Sequence, residues 1–208
     1  MNSRLDRLLA EPQPKLLRSR RKTLKFLLRA YHAGVPGLMA KPSTDLLAHS
    51  GGYAFHIGCP NPELRTIASW ILTSGEGMQR RIARLIPALW KRHGQEDLVL
   101  VGLLLANRSE SELEEDPWLA FIHLLGDQEP LGALLEIAEE MIRGGHAVPG
   151  DMWLIDMASQ SSLWHQVAVL FLSLRKESLS EARGLVATAP AGGDLFERIR
   201  TRLLAQEH

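Results

Sequence analysis

The sequence contains a single cysteine, Cys59. That excludes an intramolecular disulfide and any zinc site built on cysteines. No apolar run approaches the roughly 20 residues needed to cross a bilayer, and Leu98 to Ala106 is the most apolar stretch. A membrane partner is not expected. No charged-then-apolar leader with a small-residue cleavage site opens the sequence, so the expected location is cytoplasmic. There is no glycine-rich phosphate loop, nucleophile elbow or paired-carboxylate motif. His49, His56 and Cys59 have ligand chemistry but lack a fourth ligand at a helpful spacing, so the sequence predicts neither a metal nor a cofactor. Neither sign of charge prevails either, with 24 basic and 24 acidic residues in 208.

What is present is ordinary in amount and uneven in placement. Apolar residues make up 45% and charged residues 23%, a composition that argues for a folded core and against wholesale disorder. Arg4, Arg7, Lys15, Arg18, Arg20, Arg21, Lys22, Lys25 and Arg29 crowd the N-terminal segment against only Asp6 and Glu11. Glu110, Glu112, Glu114, Glu115 and Asp116 form an acidic run further on, followed by Glu136, Glu139 and Glu140. A zero total therefore conceals a local basic surface, and an acidic partner is compatible with it.

The organising stretch is 76–106. Ile82, Leu85, Ile86, Leu89 and Trp90 recur at helical spacing and predict one buried stripe. Arg80, Arg81, Arg84, Lys91 and Arg92 occupy the other face. After a break at Gly94, the run from Leu98 to Ala106 is apolar nearly all round and predicts a helix covered on several sides. A basic outer helix followed by a buried inner one is the unit of an α-solenoid.

Around that pair the sequence predicts helices throughout. A short one spans 3–11 and stops at Pro12 and Pro14. The next spans 15–32, with Leu16, Leu24, Leu27, Leu28 and Tyr31 inward, and is broken by Gly34 and Pro36. A short capped turn is expected at 43–48. Residues 51–62 form the least helical stretch, irregular or a short strand with no visible partner. Then come a helix over 63–73, an acidic connector at 109–116, and helices opened by Pro117 and Pro130. Helices over 151–158, from Ser161 or Ser162, over 180–187 and over 194–205 complete the chain.

Three segments resemble one another: Asn61–Leu72, Gln95–Leu105 and Leu163–Leu172. Each has a polar start, a small residue (Ala68, Gly102, Ala168) and a bulky apolar cluster. Their starts lie about 34 and then about twice 34 residues apart, a helix-pair spacing. The expected fold is all-α, a single HEAT-like helical-repeat domain over 1–208 with a basic N-terminal segment at about 1–48. Unrelated amphipathic helices in a bundle are the alternative.

The junction Leu89-Trp-Lys-Arg-His-Gly-Gln-Glu96, followed by an apolar helix, resembles the HEAT-like AlkD family of DNA alkylation-repair glycosylases. Asp151-Met-Trp-Leu-Ile-Asp156 and Leu163-Trp-His-Gln-Val-Ala168 are similar to that family in outline, and the resemblance spans about 61–176. It implies metal-independent and cofactor-independent hydrolysis of the N-glycosidic bond of a cationic alkylated purine in duplex DNA. Such a base is already a good leaving group, so one carboxylate and an aromatic wall can stabilise the oxocarbenium-like sugar. The resemblance implies Asp156 as the carboxylate and Trp153 as the wall, with Trp164 and Trp118 as further aromatic contacts. Where the family carries two arginines, this chain reads His165-Gln166, which leaves Arg175 and Lys176 as candidates for the phosphate grip. Arg20, Arg21, Lys22, Lys25, Arg80, Arg81, Arg84, Lys91 and Arg92 are the expected backbone contacts. The competing expectation is a non-enzymatic HEAT-like scaffold that binds a protein partner.

Overall fold

The computed structural model describes residues 3–11, 16–36, 52–126, 129–175 and 182–205. Among these residues the chain is all-α, with one isolated β-bridge and no strand. No helix among them is long and apolar enough to cross a membrane. Two compact units emerge, Met1–Leu124 and Leu125–His208. The first holds α1 (Ser3–Ala10), α2 (Arg20–Gly34), α3 (Asn61–Ser74), α4 (Gln79–Ala83), α5 (Ile86–Arg92), α6 (Gln95–Leu105), α7 (Glu110–Leu113) and α8 (Pro117–Ile122). The second holds α9 (Leu131–Arg143), α10 (Asp151–Gln160), α11 (Ser162–Leu172), α12 (Arg183–Thr188) and α13 (Asp194–Ala205).

Each unit is organised around one helix with almost no exposed face. In the first it is α6, where Leu98 and every residue from Leu100 to Leu105 are buried. It packs against α3 and α5. Gly102 of α6 and Ala68 of α3 are both buried, and their small side chains leave room for close approach. In the second unit α11 plays this part: Val167 through Leu172 are buried, and α9, α10, α12 and α13 all pack on it. Removing a leucine from such a helix would cost about 2–5 kcal/mol, because the cavity cannot collapse on any side.

Three local features depart from the sequence reading, each for a stereochemical reason. The helix expected over 15–32 starts at Arg20, because Ser19 caps it: its side chain accepts from the Lys22 N–H at 3.5 Å. The Thr23 hydroxyl donates to the carbonyls of Ser19 and Leu16 at 3.0 and 3.1 Å, closing that turn. The buried face is consequently Thr23, Phe26, Leu27, Ala30, Tyr31 and Gly34, while Leu24 and Leu28 sit half-buried at its margin. Secondly, the stripe Ile82, Leu85, Ile86, Leu89 and Trp90 is buried in full, but on two short helices. Pro87 in the first turn of α5 has no N–H with which to continue α4, so the chain turns at residues 84–85.

Thirdly, the non-helical stretch does have a partner. Phe55 bridges to Gly94 in parallel. The Ala54 N–H donates to the His93 carbonyl at 2.8 Å, and the Gln95 N–H to the Phe55 carbonyl at 2.9 Å. His93 ends α5 in the left-handed region at φ 58°. At Gly94 a β-carbon would lie 2.0 Å from the Phe55 ring, so only glycine lets the strap cross there. The turn expected at 43–48, Lys15, Ser180 and Lys176 lie outside the described residues. Ser161 caps α11 through the Trp164 N–H at 3.1 Å, and Asp194 opens α13 where the sequence places it.

Candidate functional site

Two polar constellations lie in the first unit, and α2 and the α4–α5 segment contribute to both. The first is buried. Glu96 and Asp97 occupy the first turn of α6, where the helix dipole favours negative charge, and neither is exposed at all. Asp97 accepts from the Tyr31 hydroxyl at 2.9 Å and from Arg92 through Nε at 2.7 Å and Nη2 at 2.5 Å. Arg92 also donates to the Leu24 carbonyl at 2.5 Å. Its guanidinium stands 5.9 Å from the Tyr31 ring centre and 5.7 Å from that of Phe55, within cation–π range. Glu96 Oε1 accepts three backbone N–H groups, from Ile57 at 2.8 Å, Gly58 at 2.7 Å and Cys59 at 3.2 Å. Gly58, at φ 87°, bends the strap so that these donors converge.

The protonation states follow from burial and charge. Burial opposes the charge on Arg92, but the hydrogen bond and charge of Asp97 outweigh it and hold the guanidinium above its usual range. Tyr31 is pushed well up by burial and by Asp97. Burial, then Glu96 and Glu63, push the Cys59 thiol up to about 12. Tyr31 and Cys59 therefore stay neutral and Arg92 charged near neutral pH. This knot ties α2, the strap, α5 and α6 together. Arg92 is among the expected phosphate contacts, yet its guanidinium is committed to Asp97.

The second constellation is open. Arg18, Arg20, Arg81 and Arg84 surround a cleft of about 330 Å³ at the start of α2, with Leu17, Ile82 and Leu85 as its apolar wall. Thr23 also lines it, and among the described residues no acidic side chain does, while Arg81 borders a neighbouring cavity that Glu112 also lines. Arg81 is steadied by donating Nη1 to the Arg18 carbonyl at 2.8 Å. Among the described residues these four guanidinium groups make no ion pair. Elsewhere arginines are paired: Arg80 with Glu114 at 3.0 Å, Arg108 with Glu112 at 2.9 Å, and Arg175 with Asp151. Converging unpaired cations around an apolar wall make an anion site with room for more than a bare ion.

A basic stripe also runs along the outer face of α2. Arg21, Lys22, Lys25 and Arg29 are all exposed, on the side opposite the buried residues. At its far end Arg29 and His32 meet Arg4 and Arg7 around a second cavity of about 510 Å³, which Glu11 also lines. Lys91 is exposed on α5. Of the sequence-predicted contacts, the structure thus gathers Arg20, Arg81 and Arg84, sets Arg21, Lys22 and Lys25 on the outer face of α2, and turns Arg92 inward. Arg18, which the sequence places within the expected helix over 15–32 without singling it out as a contact, completes the cleft from just before the Ser19 cap. The knot's signal in the sequence is the pair Glu96-Asp97 at the head of an apolar run, with a cation five residues earlier.

In the second unit Asp156 is exposed and Trp153, one turn earlier on α10, is half-buried. Trp164 is half-buried in the first turn of α11, and Trp118 is buried at the start of α8 in the first unit. Arg175 is held by Asp151 and the Pro149 carbonyl. His165 donates through Nε2 to the Leu185 carbonyl at 2.8 Å, and Gln166 to the Ala191 carbonyl at 2.7 Å, so both tie α11 to the segments after it. No three His, Cys, Asp or Glu side chains among the described residues are grouped to hold a metal ion. Comparison with protein-family models, with curated proteins and with solved structures finds no match to this chain.

Proposed function

We propose that this protein binds nucleic acid, with duplex DNA as the leading ligand, through the arginine cleft and the basic stripe of α2. The observation that carries the reading is the convergence of Arg18, Arg20, Arg81 and Arg84 on one cleft whose described lining holds no acidic residue. Like charges gathered this closely repel one another, and a bound polyanion relieves that repulsion. The stripe from Arg21 to Arg29 spans nine residues of helix, about 12 Å from end to end. That matches about four successive phosphates of one strand, spaced by about 3.4 Å along the axis.

The scaffold in this proposal is an α-solenoid of HEAT-like pairs. Two observations support it: α5–α6 and α10–α11 each pack across a short turn, and α3 and α6, which start about 34 residues apart, pack on each other. Glycosylase chemistry, implied by the AlkD resemblance, rests on Asp156 and Trp153. Their three-residue spacing sets them on one side of α10. Asp156 stands in solvent, where a carboxylate's field is screened, so the bound substrate itself has to exclude water around it.

Duplex binding measured at rising salt tests the reading. Neutralising about four phosphates predicts a slope of about −3.6 in log K against log salt, roughly a hundredfold loss between 50 and 200 mM. A flat response with retained partner capture from purified candidate proteins would instead favour a protein-binding scaffold. Release of methylated purines from alkylated duplex DNA, lost in Asp156→Asn, would establish the enzyme; release unchanged by that substitution would move the catalytic residue elsewhere.

A further inference from the structure

We infer that the arginine cleft takes a phosphomonoester, the terminal phosphate of a nucleic-acid strand or of a free nucleotide, in preference to an internal phosphodiester. The inference rests on the phosphate-binding reading above and names the ligand class of the same cleft. Geometry separates the two basic features of α2. On the stripe, Arg21, Lys22, Lys25 and Arg29 are spread along the helix, an arrangement suited to a row of single charges. In the cleft, Arg18, Arg20, Arg81 and Arg84 line one concavity, an arrangement suited to one concentrated charge.

A phosphomonoester has that concentration. It carries about −1.5 to −2 near neutral pH and three strong acceptor oxygens, where an internal diester carries one charge and must continue in both directions. Guanidinium forks match those oxygens in pairs. Arg81 presents its fork already steadied by the Arg18 carbonyl, so less ordering is needed on binding. The volume of about 330 Å³ lies at the small end of ligand pockets, roughly 300–1,000 Å³. That is room for a phosphate and its attached sugar, and too little for a duplex cross-section. Leu17, Ile82 and Leu85 supply the apolar wall against which the sugar or base would rest.

The test uses the full chain and one short DNA sequence, prepared with a 5′-phosphate, with a 3′-phosphate, or with hydroxyls at both ends. Affinity is read by fluorescence anisotropy at fixed salt, with a nucleoside and its 5′-monophosphate as competitors. One phosphorylated form is expected to bind about tenfold tighter than the hydroxyl form, the size of one added charge-assisted contact. Arg81→Gln and Arg84→Gln should each abolish that preference, and Arg81→Lys should retain part of it; circular dichroism and unfolding midpoints confirm that each variant folds. Competition by the monophosphate but not the nucleoside would support the inference with a free nucleotide as source. Competition by phosphorylated strands alone would support it with a strand end as source. Equal binding of phosphorylated and hydroxyl strands, still dependent on Arg81 and Arg84, would overturn the monoester inference and leave nucleic-acid binding standing. Absence of binding by every phosphate ligand would overturn both.

Discussion

The knot and the cleft share two stretches of chain, and they treat arginine in opposite ways. Helix α2 gives Tyr31 to the knot and Arg20 to the cleft; the α4–α5 segment gives Arg92 to one and Arg81 and Arg84 to the other. In the knot a single guanidinium is matched by Asp97, a backbone carbonyl and two aromatic faces. In the cleft four guanidinium groups make no ion pair among the described residues. A buried charge must be satisfied within the fold, since water cannot reach it. An exposed charge is satisfied by water, and so remains available to a ligand. The contrast separates a structural use of charge from a functional one.

The sharpest way to break the contrast is to remove one partner of the knot. Arg92→Met leaves Asp97 buried without its cation and should cost about 3–5 kcal/mol of stability, read as a lowered denaturation midpoint. If the loss were no greater than for Arg84→Gln, the knot would not be structural.

The next effect comes from the strap. Gly94→Ala drives a methyl into the Phe55 ring and should cost about 1–3 kcal/mol. Adding Phe55→Ala should recover part of that loss, so the two changes would be non-additive in a double-mutant cycle.

Alkali sharpens the comparison further. The Cys59 thiol is held up at about 12, against about 8.5 in an unfolded chain. A raised acid keeps its proton longer in the fold, so stability is full below about pH 8.5 and falls as pH climbs toward the folded value. Tyr31, also raised, adds to the loss only above about pH 10, where an unfolded tyrosine titrates. Denaturation midpoints should therefore drop between about pH 8.5 and 10, by on the order of 1 kcal/mol, and less steeply in Cys59→Ala. Salt, by contrast, should weaken ligand binding at the cleft and leave the knot almost untouched.

The smallest stability effect belongs to the cleft. Arg81→Gln or Arg84→Gln should change the unfolding free energy by less than about 0.5 kcal/mol, with relief of like-charge repulsion setting the sign toward stabilisation. A larger loss would mean that these arginines serve the fold.

The helical character of the chain was legible in its sequence because apolar spacing reports burial directly. Ile82, Leu85, Ile86, Leu89 and Trp90 form a stripe in the sequence and are buried in the structure. The all-round apolar run after Gly94 likewise becomes the covered helix α6. Element ends were legible where side-chain chemistry fixes them, as at Pro117, Pro130, Ser161 and Asp194. The break at residues 84–85 was harder to read, because Pro87 disrupts the helix a turn before its own position. The cleft was half legible. Basic residues on α2 and at 80–84 stand out in the sequence, but two runs of cations become one cleft only when the helices that carry them meet.

By itself the sequence determined that the chain forms helices, which faces they bury and where many of them stop. Those properties depend on spacing, caps and prolines within a few residues of one another. Only the tertiary structure decided which charges are neutralised and which stay free. Arg92 and Arg84 have the same side chain and lie eight residues apart, yet one meets Asp97 in the interior and the other faces the cleft. What separates them is the local dielectric and the nearest carboxylate, and both are set by distant segments packing together.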